Sequence, residues 1–390
     1  FERERKIVEE EYRTDIGSGQ KYLDELFKFI FKNSRLLDRK PIGDIEVIKN
    51  FKYEDAISYY KKWYQPERMG LFIIGEIQSE EIKDLIQKYF GDFENTKETI
   101  DPDYKVPDFN ENLFFSYQDP LEENIRFSIW NKDDFKKVNT IENYRHAIVG
   151  YLAQDIFYRR VNELNELNQS AFRDSFIYED QISDLDMYYL FSASLSQNSI
   201  LQGIEDALTL AEQIKRYGFL ESEFDLAKKR HLDHLNQALI EENTRSSEDF
   251  IDEYIDHFIY EEMITGIAKE IEYTEEMFKS ISVEDLNLYF KNYLSSNNRI
   301  ISIVAPDFIT DLPTQAEIEN LFEIVSQKNI EPYEFELKNT ELIKDDLTGS
   351  KIVKRKRFPR SNIIKLTLEN GADVYLKKTD FKKDEIQLKA

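Results

Sequence analysis

Two glutamates near the start of the sequence have the spacing of a shared helix face. Glu4 and Glu11 stand seven residues apart in the stretch E-R-E-R-K-I-V-E-E-E, with Val8 four residues after Glu4. On a helix these three positions lie on one side, so both carboxylates would project in the same direction. In a chain with 77 acidic residues, however, a glutamate-rich helix is ordinarily a solvated charged face. The spacing alone makes Glu4 and Glu11 a candidate site, but it does not indicate what chemistry they perform.

Few residues of this chain could perform imidazole or thiol chemistry, because it has four histidines and no cysteine. The lack of cysteine excludes disulfides, thiolate metal ligands and cysteine nucleophiles. His231 and His234 stand three apart on a predicted helix; such a pair is able to bind a metal, but solvent-facing helix histidines are the commoner case. His146 and His257 are isolated and are interpreted as structural. No H-x-x-E-H, H-E-x-x-H, P-loop, G-x-G-x-x-G or G-x-S-x-G motif occurs.

Charge and hydropathy narrow the possible partners. The formal net charge is -25, whereas nucleic-acid binding needs clustered lysine and arginine, so nucleic acid is not expected as a partner. The dense basic run 351–360 is interpreted as a solvated linker. No run reaches the roughly 18 apolar residues of a membrane-spanning helix. Residues 1–13 form a charged helical pattern rather than a signal peptide, as in a chain already inside a domain.

An internal repeat organises the sequence. Residues 46–77 match residues 276–307 without a gap, at a constant offset of 230. In each copy a helical pattern containing Tyr60 or Phe290 comes before a polar turn and a short apolar run. The apolar run, residues 69–77 in the first copy, indicates a buried strand, and we expect Tyr60 and Phe290 to be buried in equivalent places. Because the offset has the length of a whole domain, the repeat indicates duplicated domains.

The mixed order of predicted helices and strands favours an α+β fold. We expect duplicated two-layer domains, each with a mixed antiparallel sheet and helices packed on one face. Asn370-Gly371, between alternating apolar residues, predicts a type I′ hairpin. The predicted organisation is the C-terminal half of a first domain (1–100), a linker (101–112), a second homologous domain (113–308), a longer linker (309–360) and the start of a third homologous domain (361–390).

Several motifs in this order resemble the pitrilysin/insulinase (inverzincin) family, including its mitochondrial processing peptidase branch. The resemblance covers nearly the whole chain except the linkers. It rests on the E-R-x-x-V-x-x-E run from Glu4 to Glu11, Pro41-Ile42-Gly43, the segment Tyr60 to Pro66, Gly75, the segment Gly218 to Phe224 with Ala227-Lys228, and Asn370-Gly371 with Val374.

The resemblance implies a zinc site. In this family zinc is held by two histidines of an inverted H-x-x-E-H helix and by a glutamate on a later helix. Glu11 matches that later glutamate, and Glu4 matches a carboxylate that supports the site from outside the ligand set. Three protein ligands leave zinc an open position for a water whose pKa falls toward ~7. The H-x-x-E-H motif is expected upstream of Phe1.

The implied activity is that of a zinc metalloendopeptidase that hydrolyses peptides or unfolded polypeptide segments. Its partners would be a peptide substrate, enclosed between two halves, and the remaining domains of the same polypeptide. This chain alone is expected to be inactive, with zinc absent or weakly bound, because H-x-x-E-H is missing. Two alternatives remain open: a non-catalytic scaffold or subunit of the same fold, and a peptide-binding module. The lack of cysteine is compatible with the bacterial periplasm or cell envelope, but leaves the location open.

Overall fold

A computed structural model of the chain describes residues 1–15, 18–94, 104–109, 111–295, 298–334, 348–380 and 386–389. Helices make up the ordered elements of residues 1–94, a mixed sheet with helices follows, and three strands come last. None of the described helices combines the length and the hydropathy that a lipid bilayer requires.

The described elements fall into three groups along the chain. The first group is α1 (Glu2–Asp15), α2 (Ser18–Ile30), α3 (Ile45–Asn50), α4 (Tyr53–Trp63) and α5 (Ser79–Phe90). The second is β1 (Leu113–Asp119), β2 (Ile125–Asp134), α6 (Ile141–Glu166), β3 (Phe172–Gln181), β4 (Asp186–Leu195), α7 (Ile200–Tyr217), α8 (Glu221–Glu241), α9 (Ser247–Tyr260), α10 (Ile267–Met277), α11 (Val283–Phe290), β5 (Arg299–Pro306) and α12 (Gln315–Gln327). The third is β6 (Ile352–Phe358), β7 (Ile363–Leu368) and β8 (Asp373–Lys377).

The second group forms a five-stranded sheet in the order β1-β5-β2-β4-β3. β1 and β5 run parallel, and the remaining neighbours are antiparallel. A mixed sheet that carries helices confirms the predicted α+β class.

One face of this sheet holds the larger core. Phe191 of β4 points into it, and its ring centroid lies 6.0 Å from that of Phe157 on α6. The Phe157 ring in turn lies 5.9 Å from Phe290 of α11. Side chains from α6, α7, α8, α11 and α12 cover this face. The side chains of β4 alternate between the two faces, and its odd-numbered residues from 187 to 195 all join this core.

The opposite face of the sheet is covered by a helix of the first group, while the core helices of the second group pack on the first face, as predicted. Leu26 and Ile30 of α2 pack there against Tyr188 and Leu190, two of the even-numbered residues of β4. The Tyr188 hydroxyl donates a hydrogen bond to the Ile30 carbonyl at 3.0 Å. Because β4 is apolar on both sides, a helix from the first group has to cover the face that α6 and α11 leave open.

The helices repeat at the offset found in the sequence. α4 begins at Tyr53 and α11 at Val283, an offset of 230, and α2 and α9 begin at Ser18 and Ser247, an offset of 229. Helix α11 begins with a capping box, in which the Asp285 carboxylate accepts a hydrogen bond from the Ser282 backbone N–H at 2.8 Å.

The two copies differ in strand pairing and in the burial of their equivalent aromatic residues. Residues 69–77 form no strand, and none of the described strands pairs with them, whereas β5 pairs with β1 and β2. The expectation of a strand here, and of equivalent burial at the two aromatic positions, was therefore wrong for the first copy. Tyr60 is 59% exposed, while Phe290 is 0% exposed.

The segment 309–360, which the sequence predicted as a linker, contains α12 and strand β6. α12 starts with a capping box formed by Thr314 and Glu317, and its buried residues Ile318, Leu321 and Val325 join the main core. These apolar residues at helical spacing lie among charged ones, so the average composition hides them.

The last three strands form a separate antiparallel sheet in the order β6-β7-β8. The connection between β7 and β8 is the predicted hairpin, but not a type I′ turn, which needs positive φ at both central residues. Here Gly371 alone of the pair has positive φ, at +89°, and its N–H donates to the Leu368 carbonyl at 3.0 Å. The Leu368 N–H donates to the Ala372 carbonyl at 2.8 Å and closes the loop.

The unequal burial of the repeated aromatic positions gives a direct test. Phe290→Ala should lower the free energy of unfolding of this chain by about 3–5 kcal/mol, because it empties a site between Phe157 and Phe219. Tyr60→Ala, at the equivalent exposed position, should change it by about 0.5 kcal/mol or less. Urea denaturation followed by circular dichroism measures both. Equal losses would mean that Tyr60 is packed as Phe290 is.

Candidate functional site

Both predicted site glutamates lie on α1 and both are exposed. Seven residues of helix separate them by about 10 Å of rise. Glu11 lines a shallow groove along α1 together with Ile7 and Thr14, and Glu4 lies outside that groove. The structure therefore presents the two carboxylates to the exterior of the described residues rather than to a buried site.

Arg5 fixes α1 against α3. Its guanidinium donates to the carbonyls of Ile48 and Phe51, the latter at 2.7 Å, where the chain leaves α3. These carbonyls have no partner within the helix and carry partial negative charge. The guanidinium also lies over the rings of Phe1 and Phe51, at 4.8 and 4.5 Å. Because Arg5 is only 9% exposed, it holds α1 in a defined rotation.

The carboxylates next to the predicted site residues have cationic partners. Arg13 donates to Glu10 at 2.9 Å, and this hydrogen bond lowers the pKa of the Glu10 carboxyl. Arg5 donates to Glu2 at 3.3 Å. Within the described residues, no hydrogen bond or ion pair engages the side chains of Glu4 and Glu11. These two carboxylates thus remain available as acceptors for a cation from outside α1.

The described histidines do not complete a metal site. No group of three histidine, aspartate or glutamate side chains in the described ranges is placed to hold a metal ion. If Glu11 holds a zinc ion, as the family resemblance implies, the other ligands would have to come from outside the described residues. Carboxylate oxygen is an ordinary zinc ligand, so Glu11 has the right chemistry for one position.

His231 corrects the expectation of two solvent-facing histidines. It is 8% exposed on the inner side of α8, with its ring 4.5 Å from that of Tyr151 and 6.1 Å from that of Phe278. Neither ring nitrogen has a hydrogen-bond partner among the described residues. Burial lowers the pKa of His231 to about 4. His234 is exposed and lines a surface cavity that His231 does not line, so the two imidazoles do not form a metal-binding pair.

A buried polar cluster lies elsewhere in the second group of elements, and no sequence motif indicated it. The Tyr289 hydroxyl donates to Glu179 and lies 3.2 Å from that of Tyr293. The Tyr189 hydroxyl lies 3.5 Å from Nε2 of His146. Burial raises the pKa of Glu179 and lowers that of His146. The residues come from distant parts of the chain, so only the structure brings them together.

A buried ion pair explains the Gly218 to Phe224 motif. Glu223 accepts from Arg160 Nε at 2.8 Å and from the Leu220 N–H at 2.9 Å, which also caps α8. Arg160 donates to the Gly218 carbonyl at 3.1 Å and lies 4.0 Å from the ring centroid of Tyr333. The motif therefore fixes α8 against α6, which is a structural role.

The second copy does not reproduce the carboxylate pair. At the offset of 230, Glu4 corresponds to His234 and Glu11 to Glu241, both on α8. A carboxylate is kept at one of the two positions only. The candidate site is thus confined to α1.

Comparisons with known proteins agree with this fold. Residues 50–230 match the family model described as the Peptidase M16 inactive domain. A zinc protease PQQL-like protein of Arabidopsis thaliana is 25% identical over 395 residues, which cover 99% of this chain and 38% of the relative. The crystal structure of the periplasmic protease PqqL from Escherichia coli superposes with a TM-score of 0.81 at 19% identity, covering 96% of this chain and 42% of that one. The ferredoxin protease FusC, solved in complex with Arabidopsis ferredoxin, gives a TM-score of 0.74 at 20% identity, covering 97% of this chain and 42% of that one.

The repeated helices and the mixed sheet have the M16 class of peptidase fold. The two structural likenesses establish that fold alone, and the family model and the curated relative add the sequence relationship. The chain is homologous to the PqqL-like zinc proteases over nearly its whole extent, and its residues 50–230 match the M16 family model. The resemblance seen in the sequence is therefore confirmed. The chain spans about two fifths of the length of the curated relatives that it matches over nearly its whole extent.

Arg5→Ala tests how α1 is positioned. It should destabilise the packing of α1 on α3 by about 1.5–3 kcal/mol, because it removes a charged donor from two carbonyls. Hydrogen exchange should become faster in α1, while exchange in β4 is unchanged. Arg13→Ala, which removes an exposed ion pair on the same helix, is the control and should leave exchange in the first turn of α1 unaltered. Equal protection of α1 in all three proteins would contradict the anchoring role.

His231 predicts a dependence of stability on pH. The pKa of His231 is about 4 in the folded chain, below its ordinary value of 6.5, so the unfolded chain binds the proton more tightly. Its neutral form supports folding above pH ~6.5, and this support is lost as the pH falls toward 4, by about 2 kcal/mol at pH 4.5. His231→Phe should therefore gain about 2 kcal/mol relative to the wild type between pH 7.5 and 4.5, as measured by urea denaturation. A similar gain for His234→Phe, an exposed change on the same helix, would contradict this.

Proposed function

We propose that this chain is part of a zinc metallopeptidase in which Glu11 supplies the carboxylate ligand. The observation that supports the proposal is the exposed, unpaired carboxylate of Glu11 on a helix held in place by Arg5, in a chain homologous to zinc proteases. A bound zinc ion in such a site supplies an activated water for hydrolysis of a peptide bond.

Glu4 supports the same site without contacting the metal. It lies one helix turn on the N-terminal side of Val8, on the same side of α1 as Glu11. Residues of this kind orient a ligand or hydrogen-bond a group that faces the metal. Neither glutamate forms an ion pair among the described residues, so both carboxylates are open to a partner from outside α1.

The chain contributes three parts to the whole protein under this proposal. Residues 1–100 belong to a first domain, residues from 113 onward form a second domain that includes α12, and the last strands open a third. The substrates are peptides or unfolded polypeptide segments. The related FusC is a ferredoxin protease and was solved with ferredoxin, which is compatible with a polypeptide substrate here.

A non-catalytic scaffold is the second candidate function. The observation that favours it is the second copy, which keeps the helices and the core but has His234 in place of the first glutamate. Packing and ligands are thus separable within this fold. Metal content of the whole protein distinguishes the two candidates, because a scaffold needs no zinc.

We infer a periplasmic or cell-envelope location. The related PqqL from Escherichia coli is described as a periplasmic protease. The absence of cysteine is compatible with an oxidising compartment.

Substitution of the two glutamates in the whole protein tests the proposed site. Glu11→Gln should abolish retention of zinc during dialysis, because the neutral amide is a poor ligand, and should abolish peptide hydrolysis. Glu4→Gln should lower zinc affinity or activity by about 10–100-fold. Atomic absorption measures zinc, and cleavage of a quenched fluorescent peptide measures activity.

Glu10→Gln is the matched control, because its carboxylate lies next to Glu11 but is held by Arg13. It should leave zinc content and hydrolysis unchanged. Full zinc and activity after Glu11→Gln would remove Glu11 from the site. No zinc in the wild-type protein, together with no hydrolysis, would favour the scaffold.

A further inference from the structure

Strand β6 is an unpaired edge with unusual charge. Among the described strands it pairs with β7 only, so one side of its backbone carries free N–H and C=O groups. All its residues except Phe358 are exposed. Four consecutive cations, Lys354 to Arg357, occupy the middle of the strand. This is the basic run that the sequence suggested was a linker.

The charge of this sheet is opposite to that of the chain as a whole. Residues 348–380 contain nine lysines and arginines against three acidic residues, in a chain with a net charge of -25. Of the ion pairs formed by the described residues, none involves Lys354, Arg355 or Arg357. The acidic residue Asp373 is held by Lys365 at 2.7 Å. The positive charge of β6 is therefore available to a partner.

The register places like charges together on one face. Residues directly opposite each other share a face, and Lys356 lies opposite Lys365. Lys354 lies two residues along β6 from Lys356 and therefore on the same face. We name these three residues the lysine face. Asp373 on the same face is already paired with Lys365. An anionic strand laid along β6 would therefore form its ion pairs with Lys354 and Lys356.

The other face of the sheet is largely apolar. Arg355 and Arg357 lie opposite Leu366 and Ile364 of β7. Those two residues in turn lie opposite Val374 and Leu376 of β8. A strand that continues this sheet would place carboxylates on the lysine face and apolar side chains on the opposite face.

We propose that β6 binds an acidic extended polypeptide as a fourth strand, with carboxylates at alternate positions on the lysine face. Backbone hydrogen bonds along the edge provide affinity, and the lysines provide specificity for an acidic sequence. The same cations repel a second copy of β6, so the edge discriminates against pairing of identical chains. Binding needs neither zinc nor cleavage; its use for capturing a substrate rests on the proposed peptidase function.

A peptide is favoured over other polyanions by the combination of features. A nucleic acid or a sulfated glycan would use the cations but not the free backbone edge, and the acidic remainder of the chain repels long polyanions. A short acidic strand uses both the cations and the edge. The difference between these two modes is measurable, because only strand addition depends on the amides of the ligand.

Fluorescence anisotropy with a short labelled peptide of alternating Glu and Val tests the proposal on this chain. Binding should weaken as salt increases, and Lys354→Glu with Lys356→Glu should weaken it by about tenfold or more, equal to about 1.4 kcal/mol. The matched control is Lys377→Glu with Lys378→Glu at the other end of the sheet, which changes the net charge equally. Equal weakening by the two double variants would overturn a site at β6.

Backbone methylation separates strand addition from simple charge attraction. A strand directs alternate N–H groups toward its neighbour, so methylation of the peptide amides in one alternating register should abolish binding, while the other register retains it. Binding by both methylated peptides, or competition by a single-stranded oligonucleotide of equal affinity and equal lysine dependence, would overturn the proposal. Because zinc and hydrolysis are not read out, a failure of the proposed peptidase leaves this test unaffected.

Discussion

The central constraint on this structure is that a five-stranded sheet with two apolar faces has to be covered on both. β4 shows this most clearly, because Phe191 belongs to the core on one side and Tyr188 to the core on the other. Helices of the same repeat cover the first face, and α2 covers the second. The Tyr188 hydroxyl, bonded to the Ile30 carbonyl, ties α2 to the strand. α1, which carries Glu11, is held separately on α3 by Arg5.

Features of the fold that depend on neighbouring residues were predictable from the sequence. The start of α11 after Ser282 follows from its capping box, and the alternation along β4 from its apolar residues. Features that depend on a distant partner were not. Residues 69–77 have the composition of a strand, yet β structure needs a neighbouring strand to pair with. α12 was hidden by its charged surroundings, although α5 follows α4 in the first copy and indicated that a helix should follow β5 in the second.

The candidate site was likewise predictable only where it depends on neighbouring residues. Sequence spacing placed Glu4 and Glu11 on one side of a helix, but their role rests on family resemblance, because an acidic helix alone is ambiguous in so acidic a chain. The spacing of His231 and His234 predicted a solvent-facing pair, and only the packing of Tyr151 and Phe278 against His231 reveals a buried imidazole. The Glu179 and Tyr289 contact joins residues 110 positions apart, a separation at which no local pattern carries information.

The duplication also makes it possible for equivalent helices to dock in the wrong copy during folding. α4 and α11 occupy equivalent places in their copies, so while the chain folds either helix is a potential occupant of the site on the sheet beside α6. Docking of α4 there would bring Tyr60 between Phe157 and Phe219, the rings that surround Phe290. The tyrosine hydroxyl would be buried in an aromatic environment at a cost of about 1–3 kcal/mol if it found no hydrogen-bond partner. The divergence of this aromatic position between the copies would therefore disfavour exchange of the two helices, either between copies or between neighbouring molecules.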